Sequence, residues 1–335
     1  MISTSTNSRT KPFLLTPAGK DYLWGGNRLK TEFNKEIDLV PLAETWECST
    51  HPDGPSVIVT GTHAGKTLAE LLKEYPEYLG KHPGTEGELP VLIKFIDAKK
   101  NLSVQVHPDD DYARKYENGQ LGKTEMWYVM DAAPDAQLVY GFNHDITKEQ
   151  LRQSLKDGTV EKYLQKVKIQ KDDVFFIEAG TVHAIGAGAL IAEIQESSNL
   201  TYRLYDYNRV GKDGKLRELH IDKALAVANL KSSSEPRQPL RLLKYKKGSA
   251  TELLCRCKYF QVERYLLNTE SSRKLVEFQT AGDTFEVFLC LDGCGVVFME
   301  DGDSMNFFKG DCIFVPANSL SMKFHGKAQF LHVRC

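Results

Sequence analysis

The 335-residue chain has almost no net charge: 43 Lys and Arg stand against 45 Asp and Glu, a formal charge of −2. That balance gives no general attraction to a polyanion. With no basic stripe and no DNA-reading helix in sight, nucleic acid is not an expected partner. Long apolar runs are also missing. Lys94 interrupts the longest candidate and Asp292 ends another, so no membrane span is expected. The first ten residues are polar and rich in Ser and Thr, without the apolar core of a secretion signal, and the expected compartment is the cytoplasm. Seven cysteines form no Cys-x-x-Cys pair and are odd in number, which supports neither a disulfide framework nor a thiolate metal site. Nothing in the sequence implies an oligomer.

What the chain does have is polar side chains set into apolar strands. In Ser103-Val104-Gln105-Val106-His107-Pro108 the alternation puts Ser103, Gln105 and His107 on one strand face and the valines on the other, and Pro108 ends the strand. Two further donors occupy similar settings. Glu125 opens the strand-like Glu125-Met-Trp-Tyr-Val-Met130, and His183 follows the turn Glu178-Ala-Gly-Thr181 after the strand-like Val174-Phe-Phe-Ile177. Two imidazoles, one carboxylate and one amide oxygen suit zinc, iron or manganese.

Helical spacing is confined to three segments. Residues 67–80 carry Leu68, Leu71, Leu72 and Tyr75 behind a Thr67/Glu70 capping box; residues 146–167 carry Leu151, Leu155, Val160 and Leu164, broken at Asp157-Gly158; residues 221–230 form a short third helix. Lys231 to Pro239, rich in Ser and Pro, is the expected linker. From Tyr259 onward strand-length runs alternate with Gly, Asp and Asn, as in a small all-β domain. The expected organisation is a tail over 1–10, a catalytic domain over 11–240 and a metal-free domain over 241–335.

The two halves echo each other. Lys171-Asp-Asp-Val-Phe-Phe-Ile177 through His183 aligns with Lys309-Gly-Asp-Cys-Ile-Phe-Val315 through Ser321, and Glu125 to Asp131 aligns with Glu286 to Asp292. The second copy keeps a Glu but has Ser321 in place of His183, and nothing before Glu286 resembles Gln105-x-His107. One barrel is expected to hold a metal and the other none.

A His, a Glu and a second His on alternating strands resemble the cupin jelly-roll. More specifically, the chain is similar to the type I mannose-6-phosphate isomerases in their short bacterial form. The similarity lies in Tyr22-Leu-Trp-Gly-Gly26, Glu44-Thr-Trp-Glu47, Leu102 to Asp110, Gly122-Lys-Thr-Glu-Met-Trp-Tyr128, Gly180-Thr-Val-His-Ala-Ile-Gly186, and Ile194-Gln195 through Thr201-Tyr-Arg-Leu-Tyr-Asp206. It implies a mainly β protein of two cupin-type jelly-roll barrels, with helical insertions in and around the N-terminal catalytic one. It implies one zinc ion on Gln105, His107, Glu125 and His183, and interconversion of mannose 6-phosphate and fructose 6-phosphate through an enediolate. The active-site arginine of the family falls on Arg203, its lysine on Lys123 and its proposed general base on Glu193. Thr124 stands where many members have Pro, which changes the turn more than the chemistry. Ser103, Arg203 and Lys123 are the candidates for the substrate phosphate.

Two other readings use the same residues: another cupin metalloenzyme, either a sugar-phosphate isomerase or a dioxygenase on iron or manganese, and a non-catalytic sugar-binding cupin. Gln105 as a ligand beside Arg203 argues against a two-His, one-carboxylate oxygenase. The convergence of polar groups argues against the binding module.

Overall fold

A strand inside a barrel must present polar residues to one side and apolar residues to the other, and Val104–Val106 does so. In the computed structural model, which describes residues 10–81, 88–211, 214–234, 236–238, 242–270, 274–280 and 282–335, antiparallel strands predominate. Two compact units divide the chain.

One unit comprises residues 19–46 and 91–239. Its larger sheet orders Val174–Ile177, Glu125–Ala132, Ala189–Glu196, Val91–Ala98, Glu44–Cys48 and Ala18–Lys20. The smaller orders Tyr202–Tyr205, Val104–Val106, His183–Ile185, Gln137–Phe142 and Leu164–Lys168. Ile96, Trp127, Val129, Phe175 and Ile191 from the first sheet pack with Leu138, Val167 and Ile185 from the second. On the other face of the smaller sheet, Val104 and Val106 join Phe142, Leu151 and Leu225 in a second core, which the helices Lys148–Lys156 and Ile221–Val227 cover. The valines of the key stretch therefore face helices. This leaves its polar residues facing the barrel interior.

The other unit comprises residues 1–18, 47–90 and 240–335. Its sheet runs from Lys244–Lys246 through Ser249–Arg256, Gln261–Asn268, Met322–Arg334, Glu286–Met299 and Cys312–Val315 to Phe13–Thr16 and Val57–Ile58. A core of Phe288, Phe307, Phe324 and Phe330 fills it. The repeat read from the sequence holds at the level of register: Glu125 lies opposite Ile177, and Glu286 lies opposite Val315, its aligned counterpart.

The chain does pass from one unit to the other at the boundary expected near residue 240, but that boundary is not the single one: the chain also crosses near residues 18, 46 and 90. Phe13–Thr16 pairs with both Cys312–Val315 and Val57–Ile58, so the N-terminal strand and the segment that follows Trp46 belong with the C-terminal barrel. The expected linker is also tied down. Ser232 bridges to Phe142, Arg237 bridges to Phe175, and the Arg237 Nε lies 3.1 Å from Asp173 Oδ2. Part of it, residues 235 and 239, lies outside the described residues, as does most of the expected tail. Thr10, at the end of that tail, bridges to Ser319.

The helices are shorter than expected. Thr67 caps Leu68–Glu74 through the full box with Glu70, and Pro76 then starts a 3₁₀ turn, Pro76–Leu79. The 146–167 segment contains the helix Lys148–Lys156 and the turn Val160–Lys162, but its end is the strand Leu164–Lys168. The third helix stops at Val227. Two further helices, Arg28–Phe33 and Asp110–Tyr116, are too short to show periodicity; the second starts because Asp109, just after Pro108, accepts the Tyr112 N–H at 2.8 Å. Among the described residues no helix is long and apolar enough to cross a membrane.

Candidate metal centre and active site

Strand pairing assembles the site. His183 lies opposite Gln105 on one side of the strand Val104–Val106, and Arg203 lies opposite Gln105 on the other. His107 follows the same strand. The turn that delivers His183 is locked to it, because the Gly180 N–H donates to the His107 carbonyl at 2.9 Å with Gly180 at φ +87°, a conformation that L side chains rarely adopt. Glu125 comes from the larger sheet. Ligand atoms of His107, Glu125 and His183, all fully buried, lie within 4.8 Å of one another.

Each imidazole is oriented from behind. His107 Nδ1 donates to the Leu200 carbonyl at 2.6 Å and His183 Nδ1 to the Thr181 carbonyl at 2.8 Å, which leaves each Nε2 unprotonated and aimed at Glu125. The Nε2 atoms lie 3.8 Å and 3.2 Å from the carboxylate oxygens. Burial, together with the charge of Lys123, pushes the His183 pKa down to about 4 and that of His107 well below its ordinary value. Both are thus neutral, the form a metal requires. The Gln105 amide reaches the same place, with Nε2 3.4 Å from His183 Nε2; turning the amide over aims its oxygen there.

Neither buried oxygen of Glu125 has a well-directed hydrogen bond, although Lys123 Nζ lies 2.7 Å from Oε2. With Lys123 as its ion-pair partner the carboxylate still has lone pairs that no well-directed hydrogen bond takes up, and these can ligate. The donor set and its protonation therefore fit a divalent metal.

Behind the cluster runs a buried ladder of alternating charge. Glu44 lies 4.0 Å from Lys94, Lys94 3.2 Å from Glu193, Glu193 3.9 Å from Lys123, and Lys123 2.7 Å from Glu125. Indole N–H groups fix two of the carboxylates, Trp46 on Glu44 at 2.8 Å and Trp127 on Glu193 at 2.9 Å. Burial opposes the charge on Glu193, but Lys123 and Lys94 outweigh it and hold its pKa well below the usual range. Glu125 moves the other way, raised by burial and by the charge of Glu193.

Gln105, Ser103, Lys123, Glu193 and Arg203 line one cavity of about 300 Å³, together with Trp24, Lys94 and Glu44. Arg203 is not paired with Asp206; its Nε donates to Ser103 Oγ at 3.3 Å and its Nη1 to the Glu218 carbonyl at 2.9 Å. Glu196, chemically equivalent to Glu193, accepts the Thr124 N–H at 2.7 Å, and burial with Asp110 nearby raises its pKa to about 8. Sequence reasoning missed Lys94 and Glu44 as members of the site. The signal was present: Lys94 is the one cation in Val91–Ala98, a strand buried at every position.

The chain matches the family model for the catalytic domain of type I phosphomannose isomerase over residues 13–163. It is 37% identical to the mannose-6-phosphate isomerase ManA of Bacillus subtilis, across 96% of this chain and 98% of that one. The chain belongs to the type I phosphomannose isomerase family. A second such relative, the mannose-6-phosphate isomerase of Streptococcus mutans, is 34% identical over 96% of this chain and 97% of its own length. The crystal structure of a Bacillus subtilis mannose 6-phosphate isomerase superposes with a TM-score of 0.88, at 34% identity over 97% of this chain and all of that one. As a type I phosphomannose isomerase the chain has the cupin-type architecture expected of it.

Proposed function

We propose that this enzyme interconverts D-mannose 6-phosphate and D-fructose 6-phosphate through an enediolate, with one zinc ion on Gln105, His107, Glu125 and His183. The observation that carries the reading is the row Arg203, Gln105, His183 across three paired strands, with Glu125 facing it from the other sheet. Two neutral imidazoles, a neutral amide and one carboxylate would leave zinc a formal charge of +1, enough to polarise a sugar oxygen as a Lewis acid.

The reaction moves a proton between neighbouring carbons, and negative charge develops on the two oxygens. Glu193 is the proposed base: Lys94 and Lys123 keep it ionised and Trp127 fixes its orientation. Lys123, between Glu193 and Glu125, offers an ammonium to the developing oxyanion, a role that suits it better than holding phosphate, because Glu125 already engages it. Arg203 faces the cavity beside Gln105 and supplies fixed positive charge there. Ser103 joins Arg203 at the phosphate.

The C-terminal barrel is proposed to be metal-free. Its Glu286 is paired with the His332 imidazole, which stacks on Phe288 with centroids 4.5 Å apart. Conversion of mannose 6-phosphate by the purified protein, followed with metal analysis of the same sample, tests the whole reading.

A further inference from the structure

Charge is distributed unevenly along the active-site cavity. At the metal end the two lysines are matched by Glu44, Glu193 and Glu125, so that end has no cation to spare. At the other end two guanidinium groups hold one buried carboxylate and a third stands nearby. Arg217 grips Asp206 with a fork, Nε to Oδ2 at 2.7 Å and Nη2 to Oδ1; Arg209 donates to the same carboxylate and, through Nε, to the Asp206 carbonyl at 3.2 Å; Arg203 stands next to them. The carboxylate of Glu218 is turned outward and 82% exposed, so the three arginines and Asp206 leave two positive charges in a half-buried place. Both Arg203 and Arg217 line the cavity.

We propose that Arg217 is a substrate-binding residue that selects phosphorylated over unphosphorylated sugars, with its guanidinium held by Asp206 to meet a phosphate monoester. This rests on the isomerase reading and names which residue recognises the far end of the substrate. With Glu218 exposed and its charge screened by solvent, the excess of two positive charges over Asp206 matches the charge of a phosphate monoester dianion near neutrality. The position fits as well. Ser103, the partner of Arg203, lies two residues before Gln105, just ahead of the strand Val104–Val106 and so at most about 7 Å away along the chain, which is the kind of reach that separates the reacting carbons of a hexose from its 6-phosphate. A guanidinium whose Nε and Nη2 are already fixed loses little further freedom when its remaining donors meet phosphate oxygens.

The test uses zinc-loaded full-length protein. In Arg217→Ala, kcat/KM for mannose 6-phosphate should fall roughly 10- to 100-fold through KM, with kcat little changed, as for loss of one charge-assisted contact. Competitive inhibition by inorganic phosphate should weaken by a like factor, whereas inhibition by the unphosphorylated polyol mannitol should not change. Arg217→Lys, the safer variant for folding, should fall between parent and Ala. Unchanged phosphate inhibition, or equal losses with phosphate and mannitol, would overturn the assignment. Weaker phosphate binding in a protein whose parent form does not isomerise mannose 6-phosphate would instead uphold this anion site and sink the isomerase reading.

Discussion

Arg203 and Gln105 lie directly opposite one another where Tyr202–Tyr205 pairs with Val104–Val106. Gln105 in turn lies opposite His183. Antiparallel pairing therefore sets two of the proposed ligands and the proposed substrate-binding arginine in one row, and side chains in such a row keep their spacing as long as the register holds.

Arg203 should be separable from the ligands by experiment. Arg203→Ala is expected to lower kcat/KM by about 10²–10³-fold, the consequence of losing a preorganised charge that holds the substrate on the way to the transition state. Its zinc content should equal that of the parent. Arg203→Lys should recover part of the loss, since it keeps the charge but not the fork. Parent activity in a folded, zinc-loaded Ala variant would refute this role.

His107→Ala and His183→Ala should each lower zinc stoichiometry from one towards zero and abolish isomerisation. Glu286→Gln should leave both unchanged. Full zinc occupancy in either His variant would remove that residue from the ligand set.

Lys94 lies in the middle of the buried ladder, and its removal leaves Glu193 and Glu44 facing each other's charge across apolar surroundings. Breaking a buried pair on one side costs about 3–5 kcal/mol. Lys94→Met should lose stability of that order in urea unfolding, and adding Glu44→Gln should restore part of it. A single variant within about 0.5 kcal/mol of the parent would show that the ladder does not stabilise the fold.

Burial opposes the charge of His332, but Glu263 and Glu286 outweigh it and raise its pKa above the ordinary value. A group whose folded pKa is raised stabilises fully below its unfolded pKa of roughly 6.5 and loses that contribution as pH rises through the folded value. The unfolding midpoint of the parent should fall between pH 6 and pH 9 more steeply than that of His332→Gln. Parallel profiles would rule out a charged His332 as the cause.

The stretch Ser103 to His107 could be read directly because its alternation is strict and a proline ends it, and Glu125 and His183 could be read because each opens a strand. Other parts were hidden by non-local pairing. Nothing local in Phe13–Thr16 says that its partner is Cys312–Val315. Leu164 and Val167 mimic a helix for a different reason: a register shift in the pairing with Gln137–Phe142 leaves both buried at a spacing of three, where a regular strand would bury every second residue. Lys94 was passed over because a lone lysine in an apolar run reads as an interruption. The carboxylates that compensate it come from strands on either side, Glu44–Cys48 and Ala189–Glu196.

The most direct test of the account is a single titration: strip the purified enzyme with a chelator, add zinc back in steps, and follow metal content and mannose 6-phosphate conversion in the same samples. Activity should disappear with the metal and return in proportion to zinc, saturating at one equivalent per chain. Full turnover in the stripped protein, or saturation only at two equivalents, would contradict the account.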